Sequence, residues 1–189
     1  VAIEGGYRLS LPPTSSQTYA LAQLDDYMHL HRSQFIHRPP VVLQLEAKLS
    51  EPNPLGTWGF GFWNDPFSVG FGAGGMRRIL PVLPNAAWFF YGSDPNHLSL
   101  REDLPGHGFH AKVFRTPLLP SFLSLAALPG LPLLLWPAGA RLLRRLANVP
   151  IKEDAGLLPV NGTGLHLYRI EVSKNLVDFS IDHETEFKT

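Results

Sequence analysis

Aromatic and histidine side chains between positions 58 and 110 are the part of this sequence best suited to binding chemistry. Tryptophan and tyrosine rings can stack on sugar rings or on apolar ligands, and histidine can donate or accept a proton near neutral pH. Several such groups around one concave surface would form a small-molecule site. The candidate ligand-binding residues are Trp58, Trp63, Trp88, Tyr91, His107 and His110.

Two segments in which apolar and polar residues alternate are predicted to form the sheets that position these groups. Residues 41–63 contain an alternating strand, a turn and a second strand, and residues 165–182 contain a clear hairpin pattern. We expect each segment to form a pair of strands. Further strands are predicted at residues 7–11, 19–23, 85–91 and 107–114.

The strand at residues 57–63 carries an unusual pair of glycines. Gly59 and Gly61 share one predicted face with Trp63, whereas Trp58 lies on the opposite face. Glycines on one face of a strand often allow a ligand or another backbone to approach closely. The alternative is that aromatic side chains of a facing sheet fill the space.

Composition limits the class of protein. A chain of 189 residues with 44% hydrophobic residues predicts a single globular domain over residues 1–189, and the strand patterns predict that this domain is a β-sandwich. The formal net charge is zero, which gives no support to a nucleic-acid partner, and no cysteine is available for disulfides or thiolate metal sites. The first residues show no signal-peptide pattern. Both a bacterial cytoplasmic and an extracytoplasmic location remain open.

A loose histidine cluster precedes the first long strand. His29 and His31 would share a face of a strand, a spacing that zinc could use, and His37 follows. The sequence supplies no obvious third ligand, so we interpret these histidines as surface or hydrogen-bonded groups and expect no metal or other cofactor. Asp25 and Asp26 are adjacent, and we interpret them as part of a solvated turn.

Residues 117–150 differ in character from the rest of the chain. They are rich in leucine, contain several prolines, and end in a stretch predicted to be helical with an apolar face beside arginines. This pattern fits an apolar insertion packed on a sheet. It also fits a lid over an apolar ligand site, or a contact with a membrane surface or a protein partner through residues 118–146.

The C-terminal hairpin resembles the late hairpin of family 16 glycoside hydrolases and their concanavalin A-like relatives. Their pattern is a His-x-Tyr-x-Ile-Glu strand, a short turn and a strand ending in Val-Asp-Gly. Here residues 166–171 match the first strand and Asp182 ends the second, with His183 in place of glycine. Residues 41–63 resemble the family's earlier strand pair. The resemblance implies a concanavalin A-like jelly roll with a leucine-rich helical insertion, and further strands after the hairpin, where the chain stops at Thr189.

The catalytic carboxylates of that family have no counterpart on the corresponding strand. The family motif Glu-x-Asp-x-(x)-Glu places nucleophile, helper and acid/base on one face, with the two catalytic carboxyls about 5–5.5 Å apart. By position, Ala86 replaces the nucleophile, Trp88 the helper, and Phe90 or Tyr91 the acid/base. The resemblance therefore implies the fold without this activity.

Three functions follow from these observations. The first is a non-catalytic sandwich that binds a carbohydrate or an apolar small molecule in its concave face. The second is an association with a membrane or a protein partner through the leucine-rich segment. The third is an enzyme with different chemistry, whose candidate groups are Tyr91, Asp94, Glu102, His107 and His110.

Overall fold

A computed structural model describes residues 1–13, 20–66, 82–94, 99, 106–117 and 150–189. Within these residues the chain forms ten β-strands and one 3-10 turn at Arg32–Gln34. The strands are β1 (Ala2–Ile3), β2 (Gly6–Tyr7), β3 (Val41–Ala47), β4 (Thr57–Trp63), β5 (Ala86–Gly92), β6 (Gly108–Arg115), β7 (Lys152–Leu157), β8 (His166–Val172), β9 (Val177–Ile181) and β10 (Glu184–Lys188).

Eight of these strands form two four-stranded antiparallel sheets. One sheet has the order β10-β9-β8-β3 and the other the order β4-β5-β6-β7, while β1 and β2 form a separate hairpin. The predicted C-terminal hairpin is confirmed, because Tyr168 of β8 pairs with Ile181 of β9. A tight turn with positive φ at Asp182 and His183 then leads into β10, which extends the same sheet.

The two sheets pack face to face around an aromatic core. The Phe89 ring of β5 lies 5.2 Å from the Tyr168 ring of β8 and 5.2 Å from the Phe179 ring of β9, centroid to centroid. None of these three side chains is more than 1% exposed. Burying a side chain of this size contributes roughly 1.5–3 kcal/mol to the stability of the folded state. The predicted all-β sandwich is therefore confirmed for the described residues.

The first predicted strand pair does not form, although both of its strands exist. β3 pairs with β8, from Val41 opposite Val172 to Ala47 opposite His166, and β4 pairs with β5. The connection between β3 and β4 thus passes from one sheet to the other. Alternation of apolar residues fixes the face that each side chain takes, but it does not select the partner strand.

The strand predicted at residues 7–11 is wrong. Only Tyr7 is paired, within β2, and residues 8–11 have no strand partner in the described structure. Leu9 and Leu11 are 56% and 54% exposed, so their alternation has no sheet to pack against. Residue 19 of the other short predicted strand lies outside the described residues, and residues 20–23 are not strand.

The leucine-rich segment predicted at residues 117–150 lies outside the described residues except for Pro117 and Pro150. Its helical character and its partners stay predictions. Among the residues that the structure describes, no helix is both long enough and apolar enough to cross a membrane.

Candidate functional site

Five of the six predicted ligand-binding residues are divided between the two faces of the β4–β7 sheet, and the sixth, His107, is exposed just before β6. Trp58 and Tyr91 pair directly across β4 and β5, and both pack against the core of the sandwich. Successive strand residues point to opposite faces. The opposite face, here called the outer face, carries Trp63, Trp88 and His110.

The outward-facing side chains of β5 are apolar, as the comparison of this strand with the family 16 carboxylate motif predicted. Ala87 and Phe89 are buried in the core, which turns Ala86, Trp88 and Phe90 to the outer face. No carboxylate lies on this strand. The outward side chains of this strand therefore offer neither a nucleophile nor a proton donor for glycoside hydrolysis.

The two glycines of β4 are explained by a close approach of backbone. A methyl carbon built on Gly59 would overlap the carbonyl oxygen of Phe89 and lie 3.1 Å from Cα of Phe90. One built on Gly61 would overlap the carbonyl oxygen of Ala87. The sequence left three explanations for the glycines: a ligand, another backbone, or aromatic side chains of a facing sheet. The structure supports the second, because a neighbouring backbone occupies this space. No ligand is needed to account for these glycines.

A buried ionic group occupies the outer face at β6 and β7. The Nζ atom of Lys112 lies 2.9 Å from Oε1 of Glu153, and Ser99 donates a 2.9 Å hydrogen bond to the same oxygen. Lys112 and Glu153 are 2% and 4% exposed. Since a buried charge requires an opposite charge and hydrogen bonds, the pair is held in a fixed arrangement. This part of the outer face is closed to solvent.

His110 is also buried on the outer face. Its Nε2–H donates to the carbonyl oxygen of His107 at 2.8 Å, which places the proton of the neutral ring on Nε2. Burial lowers the pKa of His110, and the Lys112 charge acts in the same direction. The imidazole is therefore neutral at pH 7 and is held by a local hydrogen bond to the residue just before its own strand.

The tryptophans of the outer face pack against other side chains. The Trp63 Nε1–H donates to the Tyr27 hydroxyl at 2.5 Å, and the Trp63 and Trp88 rings lie 5.7 Å apart. The indole nitrogen of Trp88 is buried and has no partner among the described residues. Both rings thus fill space on this face, and neither presents a free polar group to solvent.

A pocket lies at one end of the sandwich, where β4 and β6 begin and β5 and β7 end. We call it the rim pocket, and its volume is about 230 Å³. This is smaller than the range of about 300–1,000 Å³ typical of drug-sized ligands. Its aromatic lining is Trp58, Tyr91 and Phe109. Its other lining residues include Leu49, Asn53, Gly108, Leu158, Val160 and Gly162.

The aromatic wall of the rim pocket is a stack of three rings. The Trp58 and Phe109 rings are nearly parallel, with centroids 4.9 Å apart and planes 13° from each other. Tyr91 continues the stack, 6.3 Å from Trp58. The indole nitrogen of Trp58 is buried and has no hydrogen-bond partner within the described structure. Stacked rings of this kind form a rigid apolar surface.

Two polar side chains at the rim pocket are available to a ligand. Asn53 lies in the exposed β3–β4 connection, and Tyr91 is half-buried at the end of β5. Neither the Asn53 amide nor the Tyr91 hydroxyl makes a hydrogen bond to another described residue. An amide and a phenol can each both donate and accept hydrogen bonds. The pocket therefore combines an apolar wall with two groups able to orient a polar ligand.

Backbone hydrogen bonds hold the walls of the rim pocket in place. The Leu49 N–H donates to the Gly162 carbonyl at 2.7 Å, which joins the β3–β4 connection to the segment after β7. The Leu158 N–H donates to the Phe109 carbonyl at 2.8 Å, which fixes that segment to β6. The pocket is thus built by segments that are far apart in sequence but bonded to each other.

A histidine–aspartate pair supports the same end of the sandwich. The His166 ring lies between the Asp182 carboxylate, 2.7 Å from Nδ1, and the Asn161 carbonyl, 3.1 Å from Nε2. Asp182 also accepts a hydrogen bond from the Leu167 N–H at 2.9 Å. The hydrogen bonds from His166 and Leu167 lower the pKa of Asp182. This pair connects the β9–β10 turn to the turn beside Gly162 of the pocket.

The groups suggested for an enzyme do not converge on one site. Tyr91 faces the core and the rim pocket, whereas His110 lies on the outer face and Asp94 is exposed after β5. Glu102 lies outside the described residues. Asp94 therefore does not join His110, and the carboxylate that acts on His110 is Glu153, which is paired with Lys112.

The early histidines are used in local contacts. His37 lies 2.5 Å from the Asp26 carboxylate, and the backbone N–H of His31 donates to the Gln34 side chain at 2.9 Å. Asp25 accepts hydrogen bonds from the backbone of the following turn, as expected of a turn residue. In the part of the chain that the structure describes, no three histidine or acidic side chains are grouped so that they could hold a metal ion.

The sequence did not reveal the residues that distinguish the rim pocket from the outer face. Asn53 stands between two prolines in a turn, a position that predicts a loop but no role. Lys112 is a charged residue between the apolar residues Ala111 and Val113, and that is a signal for a buried charge needing a partner. Its partner Glu153 follows only after 40 further residues and could not be selected from spacing.

The comparisons with known proteins found no match. No protein-family model, curated protein or solved structure matches the chain. The class of protein therefore rests on its own geometry: an antiparallel β-sandwich with a closed ionic group on one outer face and an open pocket at one end.

Proposed function

We propose that the protein is a non-catalytic, ligand-binding β-sandwich of the concanavalin A-like jelly-roll type. Its ligand is a carbohydrate or an apolar small molecule, and its binding site is the rim pocket. The observation that carries this proposal is the meeting of Trp58 and Tyr91 in the pocket wall, beside the free amide of Asn53. Aromatic faces with a few polar groups are the usual composition of a small-ligand site.

The rim pocket is a better site than the outer face, where the family resemblance would place a ligand. His110, Lys112 and Glu153 are at most 4% exposed there, so these side chains offer a ligand almost no accessible surface. A ligand there would also have to compete with a satisfied ion pair. The rim pocket places neither limit on a small ligand.

Absence of catalysis is supported by the outward side chains of β5. Ala86, Trp88 and Phe90 cannot act as nucleophile, helper or acid in glycoside hydrolysis. Among the described residues, the buried carboxylate on the same face is that of Glu153, which is already engaged by Lys112 and Ser99. A binding function requires none of these groups to react.

A thermal-shift screen tests the proposal on the wild-type chain, with Tyr91→Phe and Trp88→Phe as matched variants. Suitable probes are neutral glycosides, short oligosaccharides and cyclohexanol. A probe at about 100 times its Kd stabilises the folded state by about 2.7 kcal/mol, which raises Tm by about 5–10 °C for a chain of this size. We expect Tyr91→Phe to reduce the shift and Trp88→Phe to leave it unchanged. A shift lost in Trp88→Phe and kept in Tyr91→Phe, or no shift with any probe, overturns the proposal.

A further inference from the structure

We infer that Asn161 is a modification site at which the chain reacts with itself. The backbone nitrogen of Gly162 attacks the side-chain amide of Asn161, ammonia leaves, and the resulting cyclic imide is opened by water to aspartate or isoaspartate. Thr163 promotes the reaction through its hydrogen bonds to the Asn161 side chain. The modification does not depend on which ligand the rim pocket binds.

The first observation is the sequence of the turn between β7 and β8. Asn161 is the one asparagine of the chain that is followed by glycine. Because glycine has no Cβ, its backbone can adopt the conformation that ring closure requires at little cost. Asn53 and Asn175 are also exposed, but Asn53 precedes a proline, which has no N–H to react, and Asn175 precedes a leucine. These two asparagines are internal controls.

The second observation is the arrangement of the Asn161 side chain. Its Oδ1 atom accepts the Thr163 hydroxyl at 2.8 Å and the Thr163 backbone N–H at 3.2 Å. A hydrogen bond to the residue two positions later folds the side chain back over the Gly162 peptide. Two donors on this oxygen also stabilise the negative charge that it acquires when the nitrogen attacks Cγ. The amide carbon is therefore both positioned and polarised for attack.

The third observation is that the reacting groups are not held by other partners. Within the described structure, neither the Gly162 N–H nor the Nδ2 amide of Asn161 donates a hydrogen bond. The bond from Gly162 N to Cγ forms as the bond from Cγ to Nδ2 breaks, and the proton of the attacking nitrogen leaves with Nδ2 as ammonia. Asn161 is exposed, so water can then open the imide. The balance is one water consumed and one ammonia released.

The location of the turn gives the modification a structural consequence. The Gly162 carbonyl accepts the Leu49 N–H at 2.7 Å, one of the hydrogen bonds that hold the walls of the rim pocket. The Asn161 carbonyl lies 3.1 Å from Nε2 of His166. Isoaspartate adds a carbon to the backbone between these two carbonyls and places a new carboxylate at the turn. We therefore expect conversion to weaken the Leu49–Gly162 hydrogen bond.

Incubation of the folded wild-type chain at mildly alkaline pH, followed by peptide mapping with mass spectrometry, tests the inference. We expect Asn161 to be converted while Asn53 and Asn175 keep their amides. Thr163→Val removes the hydroxyl donor at nearly constant shape and should slow the conversion about two- to tenfold, the effect of losing one hydrogen bond to the transition state. Thr163→Ser keeps the hydroxyl and should react at the wild-type rate.

Hydrogen exchange at the Leu49 amide measures the structural consequence. We expect this amide to exchange faster in the converted protein than in the same protein before incubation. Asn161→Gln, incubated in the same way, is the control and should show no change, because the larger ring that glutamine would have to form closes far more slowly.

Two results would overturn the inference. One is an Asn161 that keeps its amide in the folded chain while the chain unfolded in urea loses it, because the fold would then prevent the reaction. The other is equal rates for Thr163→Val and the wild type, because the Asn161–Gly162 sequence alone would then account for the conversion. Unchanged exchange at Leu49 after conversion would contradict the effect on the pocket wall. Each of these results is independent of the ligand screen that tests the proposed function.

Discussion

The Nζ atom of Lys112 lies 2.9 Å from Oε1 of Glu153, and both side chains are almost completely buried on a face of the sandwich that the sequence predicted to be a ligand cleft. Two charges in such a place are kept only if each satisfies the other. The pair and its hydrogen bond from Ser99 give the outer face a structural role. This is why we assign ligand binding to the rim pocket at the end of the sandwich.

Removal of one partner of this pair should be costly. We expect Lys112→Met to lower the free energy of unfolding by about 3–5 kcal/mol, because it leaves the Glu153 charge buried and unpaired. The double variant Lys112→Met/Glu153→Leu should be more stable than Lys112→Met alone. Urea denaturation measures both. Lys188→Met, which breaks a partly exposed ion pair with Asp178, is the control and should cost less than about 1 kcal/mol. A double variant no more stable than Lys112→Met would contradict this account.

The Tyr168 hydroxyl should contribute nothing to stability. It is buried among aromatic rings and has no hydrogen-bond partner in the described structure, and burial raises the pKa of this phenol to about 12. An unsatisfied buried donor costs about 1–3 kcal/mol, so Tyr168→Phe should leave the free energy of unfolding unchanged or raise it. A clear loss of stability on urea denaturation would show that the hydroxyl has a partner.

Tyr27→Phe is the matched control for that experiment. Its hydroxyl accepts the Trp63 indole N–H at 2.5 Å and a side-chain N–H of Gln23 at 3.2 Å. Loss of the buried bond from Trp63 alone should lower the free energy of unfolding by about 0.5–1.5 kcal/mol. The two substitutions remove the same oxygen atom, and only the one with a partner should be destabilising.

Gly59 should not tolerate a side chain. Its missing Cβ would overlap the carbonyl oxygen of Phe89, so Gly59→Ala requires β4 and β5 to move apart. Overpacking of this kind costs about 1–3 kcal/mol. Gly6→Ala is the matched control, because nothing lies within 4 Å of a Cβ at that position. Equal melting temperatures for the two variants would be inconsistent with the close backbone approach described here.

The Asp182 carboxylate should make stability depend on acid pH. Its pKa is lowered from 3.8 by the hydrogen bonds from His166 and Leu167, so the folded state favours the ionised form. The resulting stabilisation is present above pH 3.8 and is lost as the pH falls through the lower pKa of the folded state. The free energy of unfolding of Asp182→Asn should therefore fall less steeply than that of the wild type below this pH. Parallel pH profiles for the two proteins would exclude this role.

The strands of this fold follow from the sequence, whereas their partners do not. Alternation of apolar residues in residues 41–50 and 165–182 sets the faces of β3, β8 and β9, and these elements form as predicted. Pairing of β3 with β8 depends on contacts more than 100 residues apart in sequence, which no local pattern encodes. The alternation at residues 7–11 fails because no partner strand covers it.

The sequence predicted the candidate site only in part, again because local patterns do not specify which strands pair. The sequence placed Trp58 and Trp63 on opposite faces, and the structure agrees, so they cannot share one ligand site. Trp58 and Tyr91 meet because β4 and β5 pair in a register that brings them opposite each other. Asn53 joins them through a loop whose position depends on the Leu49–Gly162 hydrogen bond. Such long-range geometry is available only from the folded chain.

The most direct test of the account is an NMR titration that follows the indole N–H resonances of the four tryptophans. Trp58→Phe, Trp63→Phe and Trp88→Phe assign three of the signals, and the fourth belongs to Trp136, outside the described residues. With methyl β-D-glucopyranoside, the account predicts a saturable shift of the Trp58 signal and no change in the Trp63 and Trp88 signals. A shift of the Trp88 signal with the Trp58 signal unmoved would contradict it and return ligand binding to the outer face.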